Sequence, residues 1–173
     1  VALCAIYKAS EWKKVILLAT AFTLGHSLTL ALSALDILQF SPTVIEILIP
    51  VTILLTAIFN MMFHSGTDKN LKRPKMLINY GFAAIFGLIH GMGFSNFFRA
   101  TTLPGEENAF ILQLFAFNVG VELGQIIIIA IILLIAWLVF RIFTIKQKYW
   151  NWSISGMAAI LAIKMIAERI TEI

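Results

Sequence analysis

Glu122, Asn118 and Gln125 stand at helical spacing within the run from Phe110 to Phe140, one of the most apolar stretches of this chain. A carboxylate in such a run is expensive to keep and marks a functional site by default. At 100° per residue the three fall within roughly a 60° arc, so they must look at one neighbour. That neighbour is protein or a water-filled cavity, because lipid would leave the polar groups unsatisfied. His26 and His90 lie near the middle of two other apolar runs. Glu122 falls about 18 Å into its own run at 1.5 Å per residue, which puts all three near the midplane. Two imidazoles and a carboxylate suit a divalent first-row transition metal such as Ni²⁺, Co²⁺ or Zn²⁺. One carboxylate leaves such an ion under-neutralised, so a further acid or water is expected from elsewhere.

The elements that position these groups follow from composition. Of 173 residues, 60% are hydrophobic and 13% charged, with a mean hydropathy of +0.93; soluble domains carry about a quarter charged residues. The expected fold is all-α, a polytopic integral membrane helix bundle of about six spans in a single transmembrane domain over residues 1–173. Candidate spans run over residues 15–38, 44–64, 76–98, 110–143 and 152–169. Val1 to Tyr7 reads as the end of a first span whose beginning lies outside the sequence. A soluble catalytic or nucleic-acid-binding domain is excluded. The lipid bilayer is the expected partner, with a homo-oligomer or a larger membrane complex compatible with the chain.

Basic residues set the expected orientation, since short cytoplasmic loops hold the excess of Lys and Arg. Loops 8–14, 65–75 and 141–151 contain Lys8, Lys13, Lys14, Lys69, Lys72, Arg73, Lys75, Arg141, Lys146 and Lys148. They are predicted cytoplasmic, in a bacterial inner membrane. The segments around Asp36 and around Glu106 and Glu107 are predicted external. Trp12, Tyr149, Trp150 and Trp152 gather at the inner interface, where amphipathic rings favour the headgroups.

Other polar residues follow the same helical arithmetic. Thr23, Ser27 and Ser33 share broadly the face of His26, and Asn79, Ala83, Phe86 and Phe94 that of His90. Thr52, Thr56 and Asn60 recur every four residues and are read as a cavity wall, with Pro50 bending their helix. Thr23, Ser27 and Asn60 join Asn118 and Gln125 as candidates for the path around the site. His64 is read as interfacial, Cys4 as a small buried hydrophobe. Gly120 and Gly124, opposite the Glu122 stripe, are read as close helix packing, as are Gly87 and Gly91 beside His90. Lys164 and Glu168, four apart, pair with each other, snorkel outward, or leave Lys164 to neutralise Glu122.

Two other functional classes make different demands on the sequence. In a non-catalytic accessory subunit of a larger complex, polar residues would lie on outward faces instead of in one layer. An intramembrane hydrolase would need Ser155 with a distant histidine, yet no G-x-S-x-G element and no H-E-x-x-H pair occurs. The chain is therefore read as a permease and not an enzyme, with no permanently bound cofactor and the metal ion as cargo.

Three motifs in order carry a resemblance: Phe22-Thr-Leu-Gly-His26-Ser-Leu-Thr-Leu-Ala31, Gly87-Leu-Ile-His90-Gly-Met-Gly-Phe-Ser95, and Phe117-Asn118-Val-Gly-Val-Glu122-Leu-Gly-Gln125. Together they resemble the HupE/UreJ family of bacterial membrane proteins across nearly the whole chain. The resemblance implies a permease for nickel or cobalt, with His26, His90, Asn118, Glu122 and Gln125 as the matching positions. Metal ligation is assigned to His26, His90 and Glu122. The pattern departs at Ser95, near where such permeases carry a glutamate. Their first-helix His and later Asp-His pair precede the point where this sequence starts.

Overall fold

A computed structural model describes residues 7, 11–63, 74–101, 110–143 and 145–171. Five helices account for nearly all of them: α1 (Trp12–Ala34), α2 (Pro42–Phe63), α3 (Pro74–Thr101), α4 (Phe110–Ile142) and α5 (Gln147–Thr171). The chain is all-helical, and α1 to α4 are each long and apolar enough to cross a membrane. The expectation of about six spans is not met by these residues. α5 has the length, with 25 residues or about 37 Å, but Lys148, Lys164, Glu168 and Arg169 dilute its apolar character. Of the opening segment only Tyr7 is described, and Cys4, residues 8–10, residues 64–73 with His64, and the Pro104-to-Glu107 segment lie outside the described residues.

Helix ends explain where the expected boundaries shift. α1 stops at Ala34, four residues before the expected Leu38, because Asp36 adopts a left-handed backbone with φ 59°. The amides of Asp36 and Ile37 return to the carbonyls of Ser33 and Leu32, the bonding of a Schellman motif usually built on glycine. Asp36→Gly is expected to stabilise the fold by up to about 1 kcal/mol, since an L side chain pays a steric cost in that region. Thermal unfolding in detergent would check this; an unchanged or lower midpoint would mean the aspartate side chain offsets its backbone cost. α2 begins at Pro42, where a missing N–H costs nothing, and continues through the buried Pro50.

Two kinds of seam hold the helices together. α1 and α3 run parallel and form the most extensive pair. Lipid supplies no hydrophobic drive between helices, so close backbone approach must. Gly25 lies against the Ala84 carbonyl, Gly87 against that of Phe22, and Gly91 against that of His26. Thr29 Oγ1 adds a bond to the Leu88 carbonyl at 2.6 Å. α2 and α5 pack antiparallel along their lengths: Glu46 meets Arg169 at one end (3.5 Å), and the Asn60 carbonyl accepts from Asn151 Nδ2 at the other (2.8 Å).

Gly120 and Gly124 do not behave as close-packing glycines. A Cβ at either would meet nothing within 4 Å among the described residues. Large apolar side chains on α4, among them Ile111, Phe115, Leu123 and Ile127, are likewise exposed, as a lipid-facing surface requires. At one end of the bundle basic groups lie over indoles: Lys13 over Trp12, Arg141 over Trp137 and Lys148 over Trp152, at 5.2 to 5.6 Å. Amphipathic rings collect in this way at a headgroup interface.

Candidate functional site

The Glu122 stripe faces α1. α4 runs antiparallel to α1, and three hydroxyls on α1 meet the three polar residues of α4. Thr20 Oγ1 donates to Glu122 Oε1 at 3.1 Å, and Thr23 Oγ1 to Gln125 Oε1 at 3.4 Å. Ser27 Oγ lies 2.6 Å from Asn118 Oδ1 and 2.7 Å from the Thr23 carbonyl, its one proton shared between two acceptors. Asn118 Nδ2 in turn donates to the Leu114 carbonyl at 2.8 Å, which fixes the amide. Positions 20, 23 and 27 recur at i, i+3 and i+7, so they line one face of α1. Thr23 and Ser27 stand where the sequence pointed. Thr20 escaped it, although the same spacing would have found it.

His26 lies where α1, α3 and α4 meet. It is 1% exposed, and neither ring nitrogen has a hydrogen-bond partner among the described residues. Its surroundings are aromatic: Phe22 on α1 at 6.1 Å between centroids, Phe94 on α3 at 5.4 Å and Phe117 on α4 at 6.4 Å. A buried polar group normally has a partner, and one left without costs about 1–3 kcal/mol.

His90 is arranged differently. Its Nδ1 lies 2.8 Å from the Phe86 carbonyl. A carbonyl only accepts, so Nδ1 carries the proton and the neutral ring presents a lone pair at Nε2. Metal-binding histidines are oriented by this kind of backbone bond on the far nitrogen. The Phe22 ring touches His90 as well, edge-on at 5.2 Å.

The structure does not gather these residues into one cluster, and Glu122 bonds Thr20, six residues before His26 on α1. Among the described residues no three of His, Cys, Asp and Glu gather closely enough to hold a metal ion. Glu122 meets Thr20, not an imidazole, and Lys164 pairs with Glu168 at 3.5 Å on the exposed face of α5 instead of reaching Glu122. Asn60 belongs to the α2–α5 seam. Thr52 and Thr56, which share its face, are buried and donate to carbonyls of their own helix; they form part of a packed seam where a cavity wall was expected. Ser155 is fully buried and donates to Asn151 at 3.2 Å, not to a histidine.

A cavity of about 300 Å³ opens at the C-terminal end of α1, lined by Ser33, Asp36, Gln39, Glu46, Met92, Gly93 and Ser95 among others. It carries two carboxylates and reaches α3 within a turn of His90. A family model described as HupE / UreJ protein matches residues 2–169. The chain belongs to the HupE/UreJ family. No curated protein and no solved structure matches it. The match takes in α1 to α4 whole, so the His26, His90 and Glu122 positions of this HupE/UreJ chain all fall inside it.

Proposed function

We propose that this protein is an inner-membrane permease for a divalent transition-metal cation, nickel or cobalt, with its basic loops 8–14, 65–75 and 141–151 in the cytoplasm. The observation that carries the reading is His26, a buried imidazole with two unpartnered nitrogens at the junction of three helices. Imidazole nitrogen suits these ions, and His90 supports it with a second, pre-oriented nitrogen nearby. Family membership adds the association with metal transport.

In this reading the cavity is where the cation enters, with Asp36 among its lining; Glu46, its other carboxylate, is paired with Arg169. The ion then exchanges water for imidazole nitrogen at His90 and His26. The seam of Thr20, Thr23 and Ser27 against Glu122, Gln125 and Asn118 supplies oxygen ligands further along, Glu122 adding the negative charge the imidazoles lack. Because Glu122 and the histidines form no single cage, they act as successive stations, and a transport site must release its cargo as well as bind it. In this reading coupling comes from a gradient or from partners.

Glu122→Gln keeps the shape and one hydrogen bond while removing the charge. Uptake of labelled Ni²⁺ into cells expressing this variant is expected to fall roughly tenfold or more. Uptake equal to wild type at equal membrane abundance would remove Glu122 from the path.

A further inference from the structure

The rings around His26 are not spread evenly along the membrane normal. α1 and α3 run parallel, so levels can be compared directly: Gly87 lies against the Phe22 carbonyl, and Gly91 against that of His26. Phe94 is therefore about a turn beyond His26 towards the C-terminal end of α1, and Phe22 is a turn to the other side. Phe117 precedes Asn118, which meets Ser27 across the antiparallel seam, and so it belongs with Phe94. These two rings contact each other at 6.1 Å, and Phe98 continues the tier against Phe117 at 5.6 Å.

The environments of the two tiers differ in kind. Gly93 and Ser95, the chain neighbours of Phe94, line the carboxylate-bearing cavity, whereas the Phe94 ring touches His26. Along the helix axis the Phe94/Phe117 tier thus lies on the cavity's side of the buried imidazole, although neither ring lines the cavity itself. On the other side Phe22 touches both His26 and His90, and beyond it in sequence and space comes Thr20 with Glu122. The helices carrying the first tier do not pack closely against each other: α3 and α4 make none of the extensive pairings, and large rings span the gap between them. A gap filled by rings can reopen by side-chain rotation, which the glycine-locked α1–α3 seam cannot.

We infer that Phe94 with Phe117 and, separately, Phe22 are two aromatic gates on opposite sides of His26, opened in turn to give the imidazole access to one face of the membrane at a time. The inference deepens the transport reading by assigning positioning residues to it. It accounts for a polar side chain buried between apolar rings. It also identifies what must move: the rings, and with them α4, which among the described residues is the most loosely held of the apolar helices, while α1 and α3 stay together as a rigid pair.

The test uses His26→Cys as a reporter in a Cys4→Ser chain, with a membrane-impermeant thiol reagent applied from either side of sealed vesicles. Without further change the thiol is expected to react slowly from both sides. Phe117→Ala should speed labelling about tenfold or more from one side only, and Phe22→Ala by a similar factor from the opposite side only. Phe117→Leu and Phe22→Leu, which keep bulk, should give smaller increases with the same sidedness and serve where an alanine variant folds poorly. Opening to both sides by either variant, or no opening by any of the four, overturns the inference. Nickel uptake is measured separately on chains that retain His26. Sided labelling without uptake in wild type would leave the gates standing and refute the metal-transport reading.

Discussion

Gly87→Val should unfold or strongly destabilise the protein, by about 3 kcal/mol or more, because a β-carbon there overlaps the Phe22 carbonyl and backbone cannot swing aside as a side chain can. Gly25→Val faces the same problem against the Ala84 carbonyl, and Gly91→Val against that of His26. The damage is not confined to packing. Phe22 and His26 are the residues whose backbone Gly87 touches, so parting α1 from α3 also moves the imidazole and the ring shared by both histidines. Gly120→Ala and Gly124→Ala are the controls. Both sit within a helix with nothing nearby, so replacing them should be neutral or stabilise by up to about 1 kcal/mol through helix propensity. Thermal midpoints of the five variants in one detergent decide the matter. A Gly120→Ala variant as unstable as Gly87→Val would show that the α4 face is packed against another helix in the folded protein.

The contrast between these glycines shows what a helical sequence tells and what it withholds. Period 3.6 reports which residues share a face, and on that basis Asn118, Glu122 and Gln125 were rightly expected to meet one neighbour. Period does not report whether a neighbour exists. Gly120 and Gly124 read as well for packing as Gly87 and Gly91, and among the described residues only the latter two have a backbone against them. Depth was legible only coarsely: 1.5 Å per residue puts His26, His90 and Glu122 in one layer, yet Glu122 bonds Thr20, six residues or about 9 Å along α1 from His26. Azimuth was not legible, and it is azimuth that sends Glu122 to Thr20 while His26 turns to the aromatic rings. Phenylalanines in a membrane chain carry almost no local signal, because they serve equally on lipid faces and in the interior. The meeting of Phe22, Phe94 and Phe117 around His26 is therefore visible only with three helices side by side. The end of α1 was missed for another reason: an aspartate in the left-handed conformation leaves no mark where a glycine would.

His26→Leu is expected to make the fold more stable and the protein inactive. The argument begins with solvation. Two ring nitrogens in a site lined by Phe22, Phe94 and Phe117 have given up water without gaining a hydrogen bond. Removing such groups returns the desolvation cost of about 1–3 kcal/mol, and leucine fills much of the imidazole's volume with atoms that match their surroundings. A thermal midpoint several degrees higher should follow, with Ni²⁺ uptake reduced to background. Ligand linkage supplies the complementary measurement. An ion that binds the folded state alone stabilises it by about 2.7 kcal/mol at a hundred times its dissociation constant. Nickel should therefore raise the midpoint of the wild-type protein and leave that of His26→Leu unmoved. A less stable His26→Leu would mean that the imidazole serves packing or hydrogen bonding in the resting bundle, and the case for His26 as a station for the ion would fall. A stabilised variant that still transports would point to His90 and Glu122 as the sufficient path, with His26 beside it. The combination of gained stability and lost transport is what separates a binding group from a structural one, because residues that only hold a fold together do not weaken it by being there.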